Sequence, residues 1–235
     1  MSSARFSRFV LRTTDAGAAT AFYDAVLQGR GDGIFPLHEG AIARGARPHW
    51  LGLIGVGELG GAEAVAARFI ERGAMRFAPP GTSDFVVLRD PGGAVVAVAD
   101  GTAVSSAGVL WHQLNTQDPA RAGANYAALF GWSPNDEADL GPLGRHRRFS
   151  FARGEPDVGI ISDVAGRPGV HTHWLFFFGV PSLDGAVDAV RAHQGTIVGV
   201  VTMPNGVRVG VCDDPQGAAF GLIERASAER LARGE

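Results

Sequence analysis

The sequence predicts an α+β chain built from four βαβββ modules. Two observations carry this: segments that recur at fixed spacings, and the same order of apolar strand, amphipathic helix and short strands in each copy. His49-Trp50-Leu51, followed by Gly55-Val56, returns 124 residues later as His173-Trp174-Leu175 and Gly179-Val180. Asp90-Pro91-x-Gly93-Ala94 returns at the same spacing as Asp214-Pro215-x-Gly217-Ala218. Leu11-x-Thr13-x-Asp15 with Tyr23 returns 103 residues later as Leu114-x-Thr116-x-Asp118 with Tyr126. The modules fall at about 5–46, 47–100, 108–165 and 170–225.

Each module opens on an apolar strand, expected at 48–56, 108–116 and 171–180. An Asp or Ser at the following turn opens a helix, expected at 15–28, 58–72, 118–130 and 182–193. Leu183, Ala186, Val187 and Val190 share one helical face. Short strands close the modules, at 84–89, 94–99, 206–212 and 218–223. The Asp-Pro-x-Gly segments suit the tight turns between them, because Pro presets φ and Gly accepts positive φ. Residues 29–46 carry little pattern. The small, polar stretch 100–108 reads as a linker between a domain at 1–102 and a second at 108–225, with 226–235 as an exposed helical tail.

The chain has 235 residues and a net charge of −3, so no basic field for nucleic acid is expected. All 21 basic residues are arginine, which excludes a Walker-type phosphate loop and a Schiff-base lysine. One cysteine, Cys212, excludes an intramolecular disulfide and reads as a buried structural thiol. Arg residues break the first apolar runs and nothing approaches a spanning segment, so the expectation is a cytoplasmic protein without membrane contact.

The module order, with Asp at the first strand-to-helix turn and Asp-Pro-x-Gly in the closing hairpin, resembles the vicinal oxygen chelate superfamily of glyoxalase I, bleomycin-resistance proteins and extradiol dioxygenases. Trp111-His112-Gln113-Leu114-Asn115-Thr116-Gln117-Asp118-Pro119, with Tyr126 and Phe130-Gly131-Trp132, resembles its two-domain glyoxalase-like group. The resemblance implies two tandem domains, each an incomplete barrel around a pocket. It also implies a divalent metal held on strand faces, at positions matching Arg8, Leu51 and Ala97 in the first half and Trp111, Leu175 and Gly221 in the second. None of these six is an oxygen or imidazole donor, so no metal and no cofactor are expected.

What remains is an apolar and aromatic pocket with few polar anchors, suited to a small organic molecule. Its candidate residues are Arg8, His49 and Leu51 in the first half, and Trp111, Gln113, Asn115, His173, Leu175, Phe177 and Gly221 in the second. A metal-free binding protein, monomeric or homodimeric, follows from that composition. A second class stays open: a divalent-metal lyase, isomerase or dioxygenase with displaced ligands, for which His171, His173 and Gln113 are the available donors.

Other features have simpler readings. His112 has the opposite strand parity to Trp111 and is expected to face the helix layer as a structural histidine. Gly55-Val56-Gly57-Glu58-Leu59-Gly60 matches G-x-G-x-x-G formally but lacks the acidic residue of a dinucleotide site. Arg145-His146-Arg147-Arg148 reads as a solvated strand edge or hairpin, with an anion clamp as its alternative. Of Trp174 to Phe178, Leu175 and Phe177 are expected on the pocket side and Trp174, Phe176 and Phe178 toward the helices.

Overall fold

The computed structural model describes residues 3–27, 33–77, 84–101 and 108–233. The expected linker falls largely outside them. The first module holds β1 (Arg5–Thr13), α1 (Ala16–Leu27), β2 (Ile34–Pro36) and α2 (Glu39–Ala43). The second holds β3 (His49–Gly55), α3 (Ala62–Glu71), β4 (Met75–Arg76), β5 (Phe85–Arg89) and β6 (Val95–Ala99). The third holds β7 (Val109–Asn115), α4 (Pro119–Phe130), β8 (Ser133–Asp139), β9 (Arg145–Ser150) and β10 (Gly159–Ser162). The fourth holds β11 (His173–Val180), α5 (Leu183–Ala192), β12 (Thr196–Thr202), β13 (Arg208–Asp213) and β14 (Ala219–Glu224), and α6 (Arg225–Arg233) follows.

Three modules keep the expected βαβββ order. Among the described residues the first departs from it: β2 pairs parallel to β1 and a short helix follows in place of a hairpin. Residues 29–46 lack the alternation that a hairpin needs. One sheet therefore has six strands, β2-β1-β3-β6-β5-β4, and the other eight, β12-β13-β14-β11-β7-β10-β9-β8.

By packing, the chain divides into two compact units. Unit 1 takes Met1–Arg8, Gly52–Ser105 and His112–Trp174; unit 2 takes Phe9–Leu51, Ser106–Trp111 and Leu175–Glu235. Unit 1 thus unites most of the second and third modules, and unit 2 most of the first and fourth.

Each unit is tied by the same buried polar chain. In unit 1 the Trp174 indole N–H donates to the Tyr126 hydroxyl at 3.0 Å, which donates to Asp90 at 3.1 Å. In unit 2 Trp50 donates to Tyr23 at 2.9 Å, which donates to Asp214 at 3.2 Å. The other carboxylate oxygen of each Asp accepts the backbone N–H groups of its own Asp-Pro-x-Gly turn. Burial raises both carboxyl pKa values, and it lifts both tyrosines well above their ordinary value.

Local geometry corrects two expectations and decides a third. The helix expected at 58–72 starts later: a 3-10 turn spans Gly57–Leu59, and Gly60 and Gly61 take φ of 97° and 90° before α3 begins. Asp100 accepts the first helical N–H, from Ala62, at 2.6 Å, so a carboxylate already sits where a pyrophosphate would. For 145–148 the hairpin holds rather than the edge, since β9 pairs antiparallel with the preceding β8 and lies between β8 and β10. Its arginines face carboxylates: Arg147 pairs with Glu137 at 2.7 Å, Arg148 with Asp157 at 3.5 Å and Arg145 with Asp139 at 3.6 Å. This charge pairing argues against an anion clamp. The C-terminal segment is helical but not wholly exposed, because Ala228 and Leu231 bury as α6 packs on β14.

Among the described residues no helix is long and apolar enough to cross a membrane.

Candidate functional site

The polar site residues of unit 1 form a connected group. The Gln113 amide donates to Asn115 Oδ1 at 2.7 Å, and Asn115 Nδ2 meets His173 Nε2 at 3.4 Å. His173 Nδ1 lies 2.7 Å from the His171 carbonyl, which can only accept, so Nδ1 carries the proton and Nε2 is the acceptor. Burial pushes the His173 pKa down to about 4, leaving a neutral imidazole at neutral pH. Asn115 is buried, while Gln113 and His173 keep a partly exposed edge. Arg8 takes no part: it is exposed and pairs with Asp84 at 3.2 Å.

His112 sits in unit 1 as its strand parity predicts. Its ring stacks on Phe6 at 5.0 Å and 9°, and its Nδ1 meets the Val158 carbonyl at 2.8 Å. Burial pushes its pKa to about 4.

In unit 2 the site residues are apolar and packed. Leu51, Trp111, Leu175 and Phe177 are all buried. A Cβ on Gly221 would lie 2.2 Å from the Phe177 ring, so only glycine lets that ring lie against β14. On the other side of β11, Phe178 packs on Trp50 at 4.9 Å and Phe176 on Phe9 at 4.9 Å. Together with the Trp174 bond to α4, this agrees with the register expected for residues 174–178. His49 repeats the bond of His173, with Nδ1 2.7 Å from the Arg47 carbonyl; burial and then the Arg12 charge lower its pKa. Arg12 stands where the repeat has Asn115, its guanidinium 5.4 Å from the Phe35 ring centre. Cys212 is fully buried and its pKa is pushed up to about 12, which makes it a poor nucleophile.

Sequence reasoning missed two polar residues of unit 1. Ser162 is the register partner of Asn115 across β7 and β10, and His146 is the register partner of Ser162 across β10 and β9. The basic run 145–148 hid His146. Ser162 has no side-chain motif, and only strand pairing reveals its neighbour.

The comparisons with known proteins agree with this architecture. The profile of the Glyoxalase/Bleomycin resistance protein/Dioxygenase superfamily matches residues 108–222. Over 92% of its length the chain is 28% identical to a Mycobacterium tuberculosis (strain CDC 1551 / Oshkosh) protein named "Putative glyoxylase CFP32", covering 93% of it. The fold matches that of the 2,3-dioxygenase LapB from Pseudomonas sp. KL28, with a TM-score of 0.59, 14% identity and coverage of 95% of this chain and 93% of that one. It also matches the Mn(II)-bound glyoxalase from Novosphingobium aromaticivorans, with a TM-score of 0.58, 13% identity and coverage of 95% and 82%. At these identities the two solved structures speak for fold alone, two tandem glyoxalase-like domains.

The metal that the superfamily implies does not fit the residues present. Ala97, Leu51, Leu175, Trp111 and Gly221 offer no side-chain donor, and Arg8 is a cation held by Asp84. The Phe177 ring lies against the α-carbon of Gly221, where a ligating side chain would start. The His171 and His173 rings stack at 4.5 Å and 29°, so their in-plane lone pairs run side by side rather than converging. Among the described residues no three of His, Cys, Asp and Glu cluster as a metal site would require.

Proposed function

We propose that this protein binds a small, partly apolar organic molecule without a metal ion. The observation that carries the reading is the donor-free set of inherited ligand positions, with Phe177 lying on Gly221. The polar anchor we assign is Gln113, Asn115 and His173, a neutral group with an imidazole acceptor and amide donors. Neutral polar groups in a mostly apolar setting fix orientation while burial supplies affinity. Leu51, Trp111, Leu175, Phe177 and Gly221, with His49, are the apolar and polar residues we assign to binding in unit 2. Arg8 falls outside the assignment because it is exposed and paired. We also place the protein in the cytoplasm, as a monomer or homodimer, with domain bounds at 1–102 and 108–225.

The test is a thermal-shift screen of neutral and charged aromatic compounds against wild type and His173→Ala. The expected result is stabilisation by a neutral compound that the variant loses. Stabilisation only after added divalent metal would instead support a lyase, isomerase or dioxygenase built on His171, His173 and Gln113.

A further inference from the structure

Ser162 and His146 extend the polar group of unit 1 into a row across four strands. Register partners in neighbouring strands project their side chains from the same face of a sheet. Asn115, Ser162 and His146 are such partners on β7, β10 and β9, and His173 joins at the β11 end through Asn115. The opposite face is identified independently. A Cβ on Gly123 of α4 would lie 3.5 Å from Ile161 and 3.8 Å from Arg147, the residues of opposite parity. The row therefore faces away from α4.

Two atoms of this row are buried and unsatisfied. Ser162 is fully buried and His146 is 8% exposed. Among the described residues neither Ser162 Oγ nor His146 Nδ1 has a hydrogen-bond partner. The His146 tautomer follows from its other nitrogen: Nε2 lies 3.0 Å from the Leu143 carbonyl, so Nε2 carries the proton and Nδ1 is a bare acceptor. Burial lowers the His146 pKa, which keeps the ring neutral. A buried polar atom left without a partner destabilises the fold, so two side by side in one row mark a place where a guest restores the missing bonds.

We propose that Ser162 and His146 are ligand-binding residues that select a neutral molecule carrying a hydrogen-bond donor, an amide N–H or a hydroxyl, over a carboxylate. A donor can bond His146 Nδ1, and Ser162 can accept or donate beside it. A carboxylate only accepts and would face the bare Nδ1 lone pair. The proposal rests on the binding function assigned above and adds the residues and ligand chemistry to it.

Benzamide, N,N-dimethylbenzamide and benzoate are suitable probes, because the second lacks donors and the third is anionic. Their binding is followed by NMR through the His146 Cε1–H resonance, in wild type and Ser162→Ala. The expected result is a benzamide-dependent shift of that resonance, with about tenfold weaker binding of the other two compounds and of benzamide to Ser162→Ala. Ser162→Ala should keep or raise the melting temperature, because it removes an unsatisfied hydroxyl; a clear fall would show that the hydroxyl is bonded and overturn the argument. Equal affinity for benzamide and its dimethyl analogue, unchanged affinity in Ser162→Ala, or no shift at saturating benzamide would also overturn it. Stoichiometric metal in the purified protein would sink the metal-free reading and leave this test intact.

Discussion

The two compact units share a skeleton and differ in what they hang on it. Both carry the Trp–Tyr–Asp chain, at nearly the same distances. Both carry a histidine whose Nδ1 bonds the carbonyl two residues before it. Unit 1 then joins its histidine to the amide of Asn115, with Gln113 beyond it, whereas unit 2 sets Arg12 beside His49 and packs Phe177 onto Gly221. Duplication thus preserved the parts that hold helices to strands and released the residues on the other face. The buried polar chain is costly to break, because losing the central tyrosine would leave both its Trp and its Asp neighbour without that bond.

The largest expected difference lies in aromatic packing. In unit 1 Trp132 is sandwiched face to face between Tyr126 at 5.2 Å and Phe149 at 5.0 Å, and its N–H donates to the Ala4 carbonyl at 2.7 Å. In unit 2 Tyr23 meets Trp50, Phe22 and Phe220 edge-on instead. Trp132→Ala should cost about 4 kcal/mol in urea unfolding, through lost area and an orphaned carbonyl. Phe220→Ala, which orphans nothing, should cost less; an equal or larger loss would break the comparison.

Acid sensitivity comes next. His112 of unit 1 is replaced by Phe9 in unit 2, at the 103-residue spacing. The folded His112 pKa of about 4 lies below the unfolded value of 6.5, so the unfolded chain binds more protons between them. Stability is then full above pH 6.5 and falls as pH drops toward 4, by about 3 kcal/mol at most. Asp90 and Asp214, raised by burial, act in the opposite sense, costing stability as pH rises above their unfolded value. Chemical denaturation of His112→Phe across this range should show a flatter loss than wild type, and an unchanged slope would refute the assignment.

A smaller effect separates the third inherited ligand positions. Gly221→Ala should destabilise by about 2 kcal/mol, because its methyl meets the Phe177 ring. Ala97 of unit 1 already carries a Cβ at the matching position. Denaturant midpoints would show it, and a neutral Gly221→Ala would mean the ring yields freely.

Much of the fold was legible because repetition and turn chemistry are local signals. The Asp-Pro-x-Gly turns marked hairpins directly, and the Asp or Ser at each opening turn placed α1, α4 and α5 to within a residue or two. The glycines at 60 and 61 hid the start of α3, since a positive-φ turn looks like a helix opening in composition. The first module was opaque from 29 to 46 because β2 is too short for periodicity. Partnerships were opaque for a different reason. Tyr126 and Asp90 each stood out as repeat markers, but pattern alone does not say which turn a helix will bond. The site was half legible: strand parity grouped Gln113, Asn115 and His173, while Ser162 and His146 needed the register between strands.

The central claim is that this chain works without a bound metal. The most direct test is elemental analysis of the purified protein, before and after incubation with nickel, zinc or iron(II) and desalting. The account predicts no retained metal above background. Retention of about one ion per chain would contradict it and direct attention to His171, His173 and Gln113.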